Sequence, residues 1–338
     1  MNLGHAIASL RRHGLAALRP RAAQDGGWFV REDAIMGTAI RVELWCDERD
    51  RAADAMDAVI DEMHRIDRAM SPYKPHSELS RINRDAAQRP VPVSAEMYAL
   101  LERALEFSRL SLGAFDITYA SVGHLYDYRA GVAPRDDELE AARAGIGWRH
   151  VVLDPRFRSV RFAHPATRID LGGFAKGHAV DRCVEILRAH GIEHAYVSAG
   201  GDSRVIGDRR GRPWTVAVRD PRRAGEAVAV LPLVDTAIST SGDYERFFER
   251  DGVRHHHLID PATGRSPDGV RSVTILADDG LTAEALSKCV FVLGVDEGLS
   301  LVATQPGTDA IVVDADGALH HTPGLLGAGR AAIAPAHQ

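Results

Sequence analysis

The apolar residues of this chain repeat with two different periods, and the order in which these periods follow one another restricts the fold. Alternation over 39–46 predicts a half-buried strand, and a helical stripe over 50–70 predicts an amphipathic helix that ends before Pro72. A loop is predicted from there to Pro90. The same patterns predict further helices over 95–109, 175–190 and 283–293, and further strands over 150–154, 159–163, 195–198, 214–218, 273–276 and 311–313. Because helices and strands do not alternate strictly, the sequence predicts an α+β fold with mixed sheets and packed helices, not a Rossmann sheet.

Composition and charge narrow the class of protein. The 338 residues include 45% hydrophobic and 26% charged side chains, which is the balance of a globular protein. The 41 Lys and Arg residues are outnumbered by 47 Asp and Glu residues, for a net charge of −6, so no basic surplus favours nucleic acid as a partner. No apolar run approaches the roughly 20 residues that a membrane-spanning helix needs, so no membrane span is predicted.

The two ends of the sequence are predicted to lie outside the fold. In residues 1–27 the arginines follow ten uncharged residues, whereas a secretory signal has its positive charge first and its apolar core afterwards. These residues are therefore interpreted as a poorly ordered or amphipathic leader on a cytoplasmic protein. The pair Arg11-Arg12 leaves a weak export signal to the periplasm as the alternative. A single domain is predicted over 28–325, followed by a loose tail over 326–338.

The clearest local motif is the segment Asp170-Leu-Gly-Gly-Phe-Ala-Lys-Gly177, which leads into a predicted helix. Paired glycines let the backbone approach a ligand closely, and free N–H groups at a helix start attract an anion. Lys176 lies in the first helical turn, where a cation is unfavourable unless an anion is near. The segment predicts a phosphate or pyrophosphate site. A turn that needs glycine only for steric reasons is the alternative.

Two further polar motifs lie downstream. The segment His255-His256-His257 precedes a turn at Asp260-Pro-Ala-Thr-Gly264. In a strand only two of the three histidines share a face, and no partner spacing completes a metal site. Two interpretations remain. Either one imidazole moves a proton near neutral pH, or the histidines simply form the polar edge of a strand. Thr240-Ser241-Gly242 supplies hydroxyl groups, but the GxSxG pattern of a nucleophilic serine is missing.

Eight short motifs follow one another between about residues 30 and 315. They are Met36-Gly-Thr38, Met70-Ser-Pro-Tyr73 with Ser77-Glu-Leu-Ser-Arg-Ile-Asn83, Gly113-Ala-Phe-Asp116, Asp170-Leu-Gly-Gly-Phe-Ala-Lys-Gly177, Ser198-Ala-Gly-Gly-Asp202, Thr240-Ser-Gly-Asp-Tyr244, His257-Leu-Ile-Asp-Pro261 and Phe291-Val-Leu-Gly294. Each motif is weak alone, but the series in this order is specific. It resembles the FAD:protein FMN transferase family, also called ApbE-like.

This resemblance implies an α+β flavin-transferase fold that binds FAD with Mg²⁺. Family members attach the FMN part of FAD to a Thr or Ser hydroxyl of a target flavoprotein and release AMP, so the attacking oxygen belongs to the target. By position, His257 would take the proton of that hydroxyl, and the Gly173 carbonyl would hold the metal. The resemblance implies contacts with FAD for Met36, Tyr73, Ala114, Phe115, Asp116, Asp170, Lys176, Thr240, Ser241, Gly242 and His257.

One departure from the family pattern concerns the metal. The family has an aspartate and a threonine or serine as ligands where this chain has Glu284 and Lys288. Glu284 still offers a carboxylate to Mg²⁺ on a longer side chain, whereas a protonated lysine has no lone pair to offer. Three outcomes follow. Lys288 places an ammonium where the metal would lie, or it leaves an FAD-binding paralogue, a flavin carrier or FAD hydrolase with little transferase activity. The third is an exposed Glu–Lys pair on the outer face of the helix.

Overall fold

The computed structural model describes residues 26–327 and 332–333. Its strands are β1 (Gly27–Ile35), β2 (Thr38–Cys46), β3 (Val91–Pro92), β4 (Val151–Asp154), β5 (Ser159–Phe162), β6 (Ala195–Ala199), β7 (Asp202–Ile206), β8 (Trp214–Arg219), β9 (Ala227–Leu233), β10 (Ala237–Gly242), β11 (Phe247–Arg250), β12 (Val253–His256), β13 (Val270–Ala277), β14 (Asp309–Asp314), β15 (Leu319–His321) and β16 (Ala332–Ile333). Its helices are α1 (Arg49–Met70), α2 (Glu78–Asp85), α3 (Ala95–Leu110), α4 (Ala120–Gly123), α5 (Asp136–Arg143), α6 (Ala175–Ala189), α7 (Gly280–Leu293), α8 (Val295–Ala303) and α9 (Gly324–Gly327). None of the helices in these ranges is long and apolar enough to cross a membrane.

Eight strands form one large sheet in the order β1-β2-β6-β7-β10-β13-β14-β15. Two three-stranded sheets, β16-β9-β8 and β3-β5-β4, and the hairpin β11-β12 complete the strand pairing of the described residues. All of these pairs are antiparallel. A parallel βαβ arrangement would need helical crossovers between neighbouring strands. The predicted α+β class is therefore confirmed.

The large sheet has a different covering on each face. Helices α1, α6 and α7 pack on one face, where Val273 and Ile275 of β13 belong to the main core. On the other face Leu276 packs with Trp214 and Leu231 of the small sheet β16-β9-β8. Successive side chains of a strand point to opposite faces, so a strand covered on both sides is apolar at nearly every position.

The helices and strands that periodicity predicts are present, with ends shifted by a few residues. The loop predicted between Pro72 and Pro90 is wrong in part, because α2 lies within it. Ser77 caps this helix by accepting a hydrogen bond from the Ser80 N–H at 2.9 Å, and its two apolar residues are fully buried. Two apolar positions in eight residues are too few to show a period.

Both ends of the sequence lie mostly outside the described residues. Of the leader predicted over 1–27, residues 26 and 27 are described, and β1 begins at Gly27. Of the tail predicted over 326–338, the described residues are 326–327 and 332–333. The domain boundaries therefore remain predictions.

The first turns of α6 and α7 lie side by side, with glycine facing glycine. A Cβ atom on Gly177 would be 2.2 Å from the carbonyl oxygen of Gly280, which is closer than any side chain allows. Asp181 ties the two helices together, since its carboxylate accepts the N–H groups of Gly280 at 2.7 Å and Leu281 at 2.9 Å. This contact brings the start of α6 next to Glu284 of α7.

Candidate active site

A cleft of about 390 Å³ lies between the start of α6, strand β10 and the segment that follows β12. Pockets that hold cofactors commonly have volumes of about 300–1,000 Å³. The structure brings most of the predicted site residues together here. Those that line the cleft are Ala114, Phe115, Asp116, Asp170, Gly173, Lys176, Thr240, Ser241, Gly242, His257 and Lys288.

Three predicted site residues do not line the cleft. Met36 is at the tip of the β1–β2 hairpin with φ 55°, a left-handed backbone that methionine seldom adopts. Tyr73 is 87% exposed, yet its phenol is near enough to Tyr119 of the cleft wall to contribute to the raised pKa of that residue, of which burial is the main cause. Glu284 is fully buried, and its carboxylate accepts a hydrogen bond from the Lys176 ammonium.

The turn into α6 is ordered by Asp170. The Gly172 N–H donates a hydrogen bond to Asp170 Oδ1 at 2.6 Å, and both residues line the cleft with Gly173. Burial raises the pKa of Asp170, although this hydrogen bond and the charge of Arg246 act in the opposite direction. The carboxylate thus holds the glycine turn in shape where a ligand would approach the backbone.

Asp116 has a similar positioning role in the neighbouring segment, whose Ile117 carbonyl oxygen accepts the Asp170 N–H at 3.0 Å. Its Oδ1 accepts hydrogen bonds from the N–H of Thr118 at 2.8 Å and from the hydroxyl of the same residue at 2.6 Å. Its Oδ2 accepts the N–H of Trp148 at 2.7 Å. Burial raises the pKa of Asp116, and these bonds oppose the effect. Beside it, the ring of Phe115 is fixed by an edge-on contact with Phe174, their centroids 5.7 Å apart.

Strand β10 presents its hydroxyl groups on both faces. Thr240 Oγ1 lies 2.8 Å from Thr274 Oγ1, and Ser241 Oγ lies 2.7 Å from Ser287 Oγ, so both hydroxyl groups are already held by protein partners. A Cβ atom on Gly242 would be 2.3 Å from the ring of Tyr244. This glycine is therefore required for space at the cleft wall.

Four charged side chains meet at the floor of the cleft, and three of them, Lys176, Asp202 and Lys288, line it. The Lys176 ammonium donates hydrogen bonds to both Asp202 Oδ2 and Glu284 Oε1. The other oxygen of Glu284 accepts the Gly177 N–H at 2.7 Å, and the other oxygen of Asp202 accepts the Ser239 hydroxyl at 2.6 Å. Lys288 Nζ lies 3.4 Å from Glu284 Oε1. We call Lys176, Asp202, Glu284 and Lys288 the lysine–carboxylate cluster.

The interpretation of Glu284 and Lys288 as an exposed surface pair is wrong. The Glu284 side chain has no exposed surface, and that of Lys288 is 17% exposed and faces the cleft. Burial lowers the pKa of Lys288, and the charge of Lys176 acts in the same direction, while Glu284 opposes it. For Lys176 burial also disfavours the charged form, but the carboxylates of Asp202 and Glu284 outweigh it and raise the pKa.

The donor set of the cluster does not fit the Mg²⁺ that the resemblance implies. Mg²⁺ needs about six oxygen ligands in octahedral geometry. Every carboxylate oxygen of Asp202 and Glu284 already accepts a hydrogen bond, and two ammonium groups that cannot ligate a metal lie among them. Within residues 26–327 and 332–333, no group of three or more His, Cys, Asp or Glu side chains is placed to hold a metal ion.

His257 is a partly buried, neutral imidazole beside this cluster. Burial, followed by the charges of Lys288 and Arg246, lowers the pKa of His257 to about 3. Its Nδ1 is buried and has no hydrogen-bond partner within the described part of the chain. The neighbouring His256 is committed to the fold, since its Nε2 lies 2.8 Å from the Pro267 carbonyl oxygen. His256 Nδ1 also has no partner among the described residues, but of the two histidines His257 is the one that lines the cleft.

Sequence reasoning missed four charged residues of the cleft, which are Asp202, Arg219, Glu245 and Arg246. Asp202 is part of the motif Ser198-Ala-Gly-Gly-Asp202, but its role as a partner of Lys176 depends on the pairing of β6 with β7. Arg246 lines the cleft and contributes to the low pKa of His257. It lies between Gly242 and the hairpin β11-β12, and only its nearness to the motif Thr240-Ser-Gly-Asp-Tyr244 could have indicated it.

Comparison with known proteins agrees with this arrangement. The family model described as "ApbE family" matches residues 36–312, which is most of the chain. The chain belongs to the ApbE family. The FAD:protein FMN transferase of Treponema pallidum (strain Nichols) is 33% identical over 320 residues and is matched over 88% of each chain. That of Vibrio cholerae (strain O395) is 34% identical over 261 residues, 75% of this chain and 78% of the relative.

Solved ApbE structures show the same fold. The ApbE protein of Thermotoga maritima superposes with a TM-score of 0.83 at 34% identity, covering 88% of this chain and 98% of that one. The flavin transferase ApbE of Vibrio cholerae gives a TM-score of 0.77 at 31% identity, with the same coverage. The family resemblance and the ApbE-like flavin-transferase fold are thereby confirmed.

Proposed function

We propose that this chain transfers FMN from FAD to a Thr or Ser hydroxyl of a target flavoprotein and releases AMP. One observation carries the proposal: two lysines, an ordered glycine turn and a neutral histidine line the same cleft. Cations and backbone groups suit a diphosphate, and a neutral imidazole suits the proton of an attacking hydroxyl. The ApbE relatives that are named FAD:protein FMN transferase support the same activity.

In the proposed reaction the hydroxyl oxygen of the target attacks the phosphorus of the FMN half of FAD. A new P–O bond forms while the bond from this phosphorus to the bridging oxygen breaks, and AMP leaves with that oxygen. The hydroxyl proton passes to the imidazole of His257. No covalent intermediate on this chain is needed, which agrees with a cleft that lacks a serine paired with a base among the described residues.

The low pKa of His257 is compatible with this role. Its low value arises first from burial and then from the positive charges of Lys288 and Arg246. A diphosphate bound against these cations offsets their charge, which raises the pKa of His257 and makes the imidazole a stronger base. We therefore assign proton transfer to His257 and diphosphate binding to Lys176 and Lys288. No step is assigned to Mg²⁺.

The acceptor is proposed to be a flavoprotein in the same compartment as this chain, which on the sequence prediction is the cytoplasm. The test is to incubate the purified protein with FAD and the FMN-carrying domain of a known covalent flavoprotein, with a Thr→Val variant of that domain as a control. We expect a fluorescent band and a mass increase of one FMN on the acceptor with threonine, and no label on the control acceptor.

A His257→Asn variant separates catalysis from binding. Loss of general base catalysis commonly slows a reaction about 10²–10⁴-fold, whereas FAD binding, measured by flavin fluorescence, is expected to persist. His64→Asn is the matched control, because His64 lies on α1, which contributes no residue to the cleft. If the protein binds FAD and never labels the acceptor, the alternative of a flavin carrier holds. Release of free FMN and AMP without labelling would identify an FAD hydrolase.

A further inference from the structure

The lysine–carboxylate cluster contains two of the three lysines in the chain. The sequence has 41 basic residues, of which 38 are arginine and only Lys74, Lys176 and Lys288 are lysine. A guanidinium is planar and wide, whereas an ammonium is a compact point charge that fits between buried carboxylates. Both cluster lysines lie where such a compact charge is needed.

The four charged side chains of the cluster differ in exposure, and the difference makes the floor of the cleft positively charged. Glu284 is fully buried, and Asp202 is 2% exposed. The lysines are more accessible, with 26% of the Lys176 side chain and 17% of the Lys288 side chain exposed, and both line the cleft. Glu284 lies outside the cleft lining, and Asp202 exposes little of its surface there. An anion that enters the cleft therefore meets mainly the two ammonium groups.

This arrangement also disfavours a divalent cation. A metal bound by Asp202 and Glu284 would have to displace the Lys176 ammonium and the Gly177 N–H from their oxygens. It would then lie beside two positive charges, Lys176 and Lys288, in a poorly hydrated site where like charges repel strongly. The cluster is electrically balanced as it stands, with two carboxylates and two ammonium groups.

We propose that Lys288, together with Lys176, supplies the positive charge for the diphosphate, so that this chain works without a divalent metal ion. This inference rests on the proposed function, which supplies FAD as the substrate. It concerns which cation neutralises the diphosphate of FAD and not the reaction itself. The Lys288 ammonium is held by Glu284 Oε1 at 3.4 Å and by the Ser287 hydroxyl at 3.3 Å. An ammonium carries its own protons as donors to the phosphate oxygens.

The first test measures metal binding directly. Mn²⁺ serves as the probe, and its binding is followed by electron paramagnetic resonance in the presence of FAD. The wild-type protein is expected to bind no stoichiometric Mn²⁺. The double variant Glu284→Asp with Lys288→Thr, which introduces the aspartate and hydroxyl that the family pattern has, is expected to bind one ion. Stoichiometric Mn²⁺ on the wild-type protein would overturn the inference, whatever its activity.

The second test follows FMN transfer in excess EDTA and in excess Mg²⁺. Wild-type rates are expected to agree within about twofold, whereas a site that relies on a metal for charge stabilisation would lose at least about tenfold in EDTA. A Lys288→Met variant keeps the length of the side chain and removes its charge. It is expected to bind FAD about tenfold to a hundredfold more weakly, and Mg²⁺ should not rescue it.

Lys74→Met is the matched control, because this third lysine pairs with Asp67 outside the cleft and its loss should change neither FAD affinity nor metal response. Thermal unfolding of each variant checks that it is folded. Transfer that occurs only with Mg²⁺ overturns the inference and leaves the proposed function intact. If FAD binds but no condition gives transfer, the proposed function fails, and the Mn²⁺ measurement still decides the inference.

Discussion

His257 shows how a single partly buried residue links the site to the stability of the fold. A histidine in an unfolded chain titrates near pH 6.5, whereas burial and nearby cations hold the pKa of His257 at about 3. Between these two values the unfolded chain binds more protons than the folded protein, so stability falls as the pH falls. Burial also lowers the pKa of His255 and His256, which adds to the effect in the same direction.

The prediction is a loss of stability on mild acidification. His257 alone should lower the free energy of unfolding by about 1.6 kcal/mol between pH 6.5 and pH 5, and the slope approaches about 1.4 kcal/mol for each pH unit toward pH 5. Urea unfolding at several pH values measures this slope. In the His257→Gln variant, which does not titrate, the slope should be smaller by that amount. An unchanged slope would show that the imidazole is protonated in the folded protein.

Residue chemistry in the sequence identified most of the cleft, and its limits are physical. The glycine turn and Lys176 could be recognised because glycine before a helix and a lysine in its first turn are unfavourable without a reason. The burial of Lys288 could not be recognised from the sequence, because its position in the helix is compatible with either the buried or the exposed face of α7. Asp202 became a partner of Lys176 only through strand pairing that joins distant parts of the chain.

At the scale of elements, the geometry of the site depends on the contact between α6 and α7. Gly177 and Gly280 let the two backbones touch, and the Gly177 N–H donates to Glu284 at 2.7 Å. This contact fixes the distance between Glu284 and Lys176, the residue that directly precedes Gly177. Periodicity predicted both helices correctly, but it describes one helix at a time and contains no information about which two helices cross at a glycine.

Gly177→Ala is predicted to damage the cluster more than the fold. The added methyl group would lie 2.2 Å from the Gly280 carbonyl oxygen, so the helices must move apart. Overpacking of this kind destabilises by about 1–3 kcal/mol. FMN transfer should fall at least about tenfold, because misplaced charges lose transition-state contacts. Gly269→Ala is the control, since a Cβ atom there meets nothing within 4 Å. Transfer rates that are equal in the two variants would rule out this coupling.

The whole molecule explains why the order of the strands could not be predicted. β2 pairs with β6, and β10 pairs with both β7 and β13, so the central sheet joins residues far apart in sequence. Strand periodicity shows which face of a strand is buried but not which strand is its neighbour. Even so, the order of the eight motifs was informative, because each marks a segment that this sheet or its helices bring to the cleft or to its surroundings.

A ligand that contacts all of these segments should stabilise the whole fold. The cleft is lined from Thr38 near the start of the sheet to Val292 on α7, so unfolding destroys it completely. FAD at a hundred times its dissociation constant should therefore raise the free energy of unfolding by about 2.7 kcal/mol and the melting temperature by about 5 °C. FMN and AMP, at the same concentration as FAD, should each give a much smaller shift, because neither contains the diphosphate that bridges the glycine turn and the lysines. Thermal unfolding followed by circular dichroism measures all three. If FMN alone matches FAD, the ligand is held by its flavin ring, and the lysine–carboxylate cluster does not bind the diphosphate.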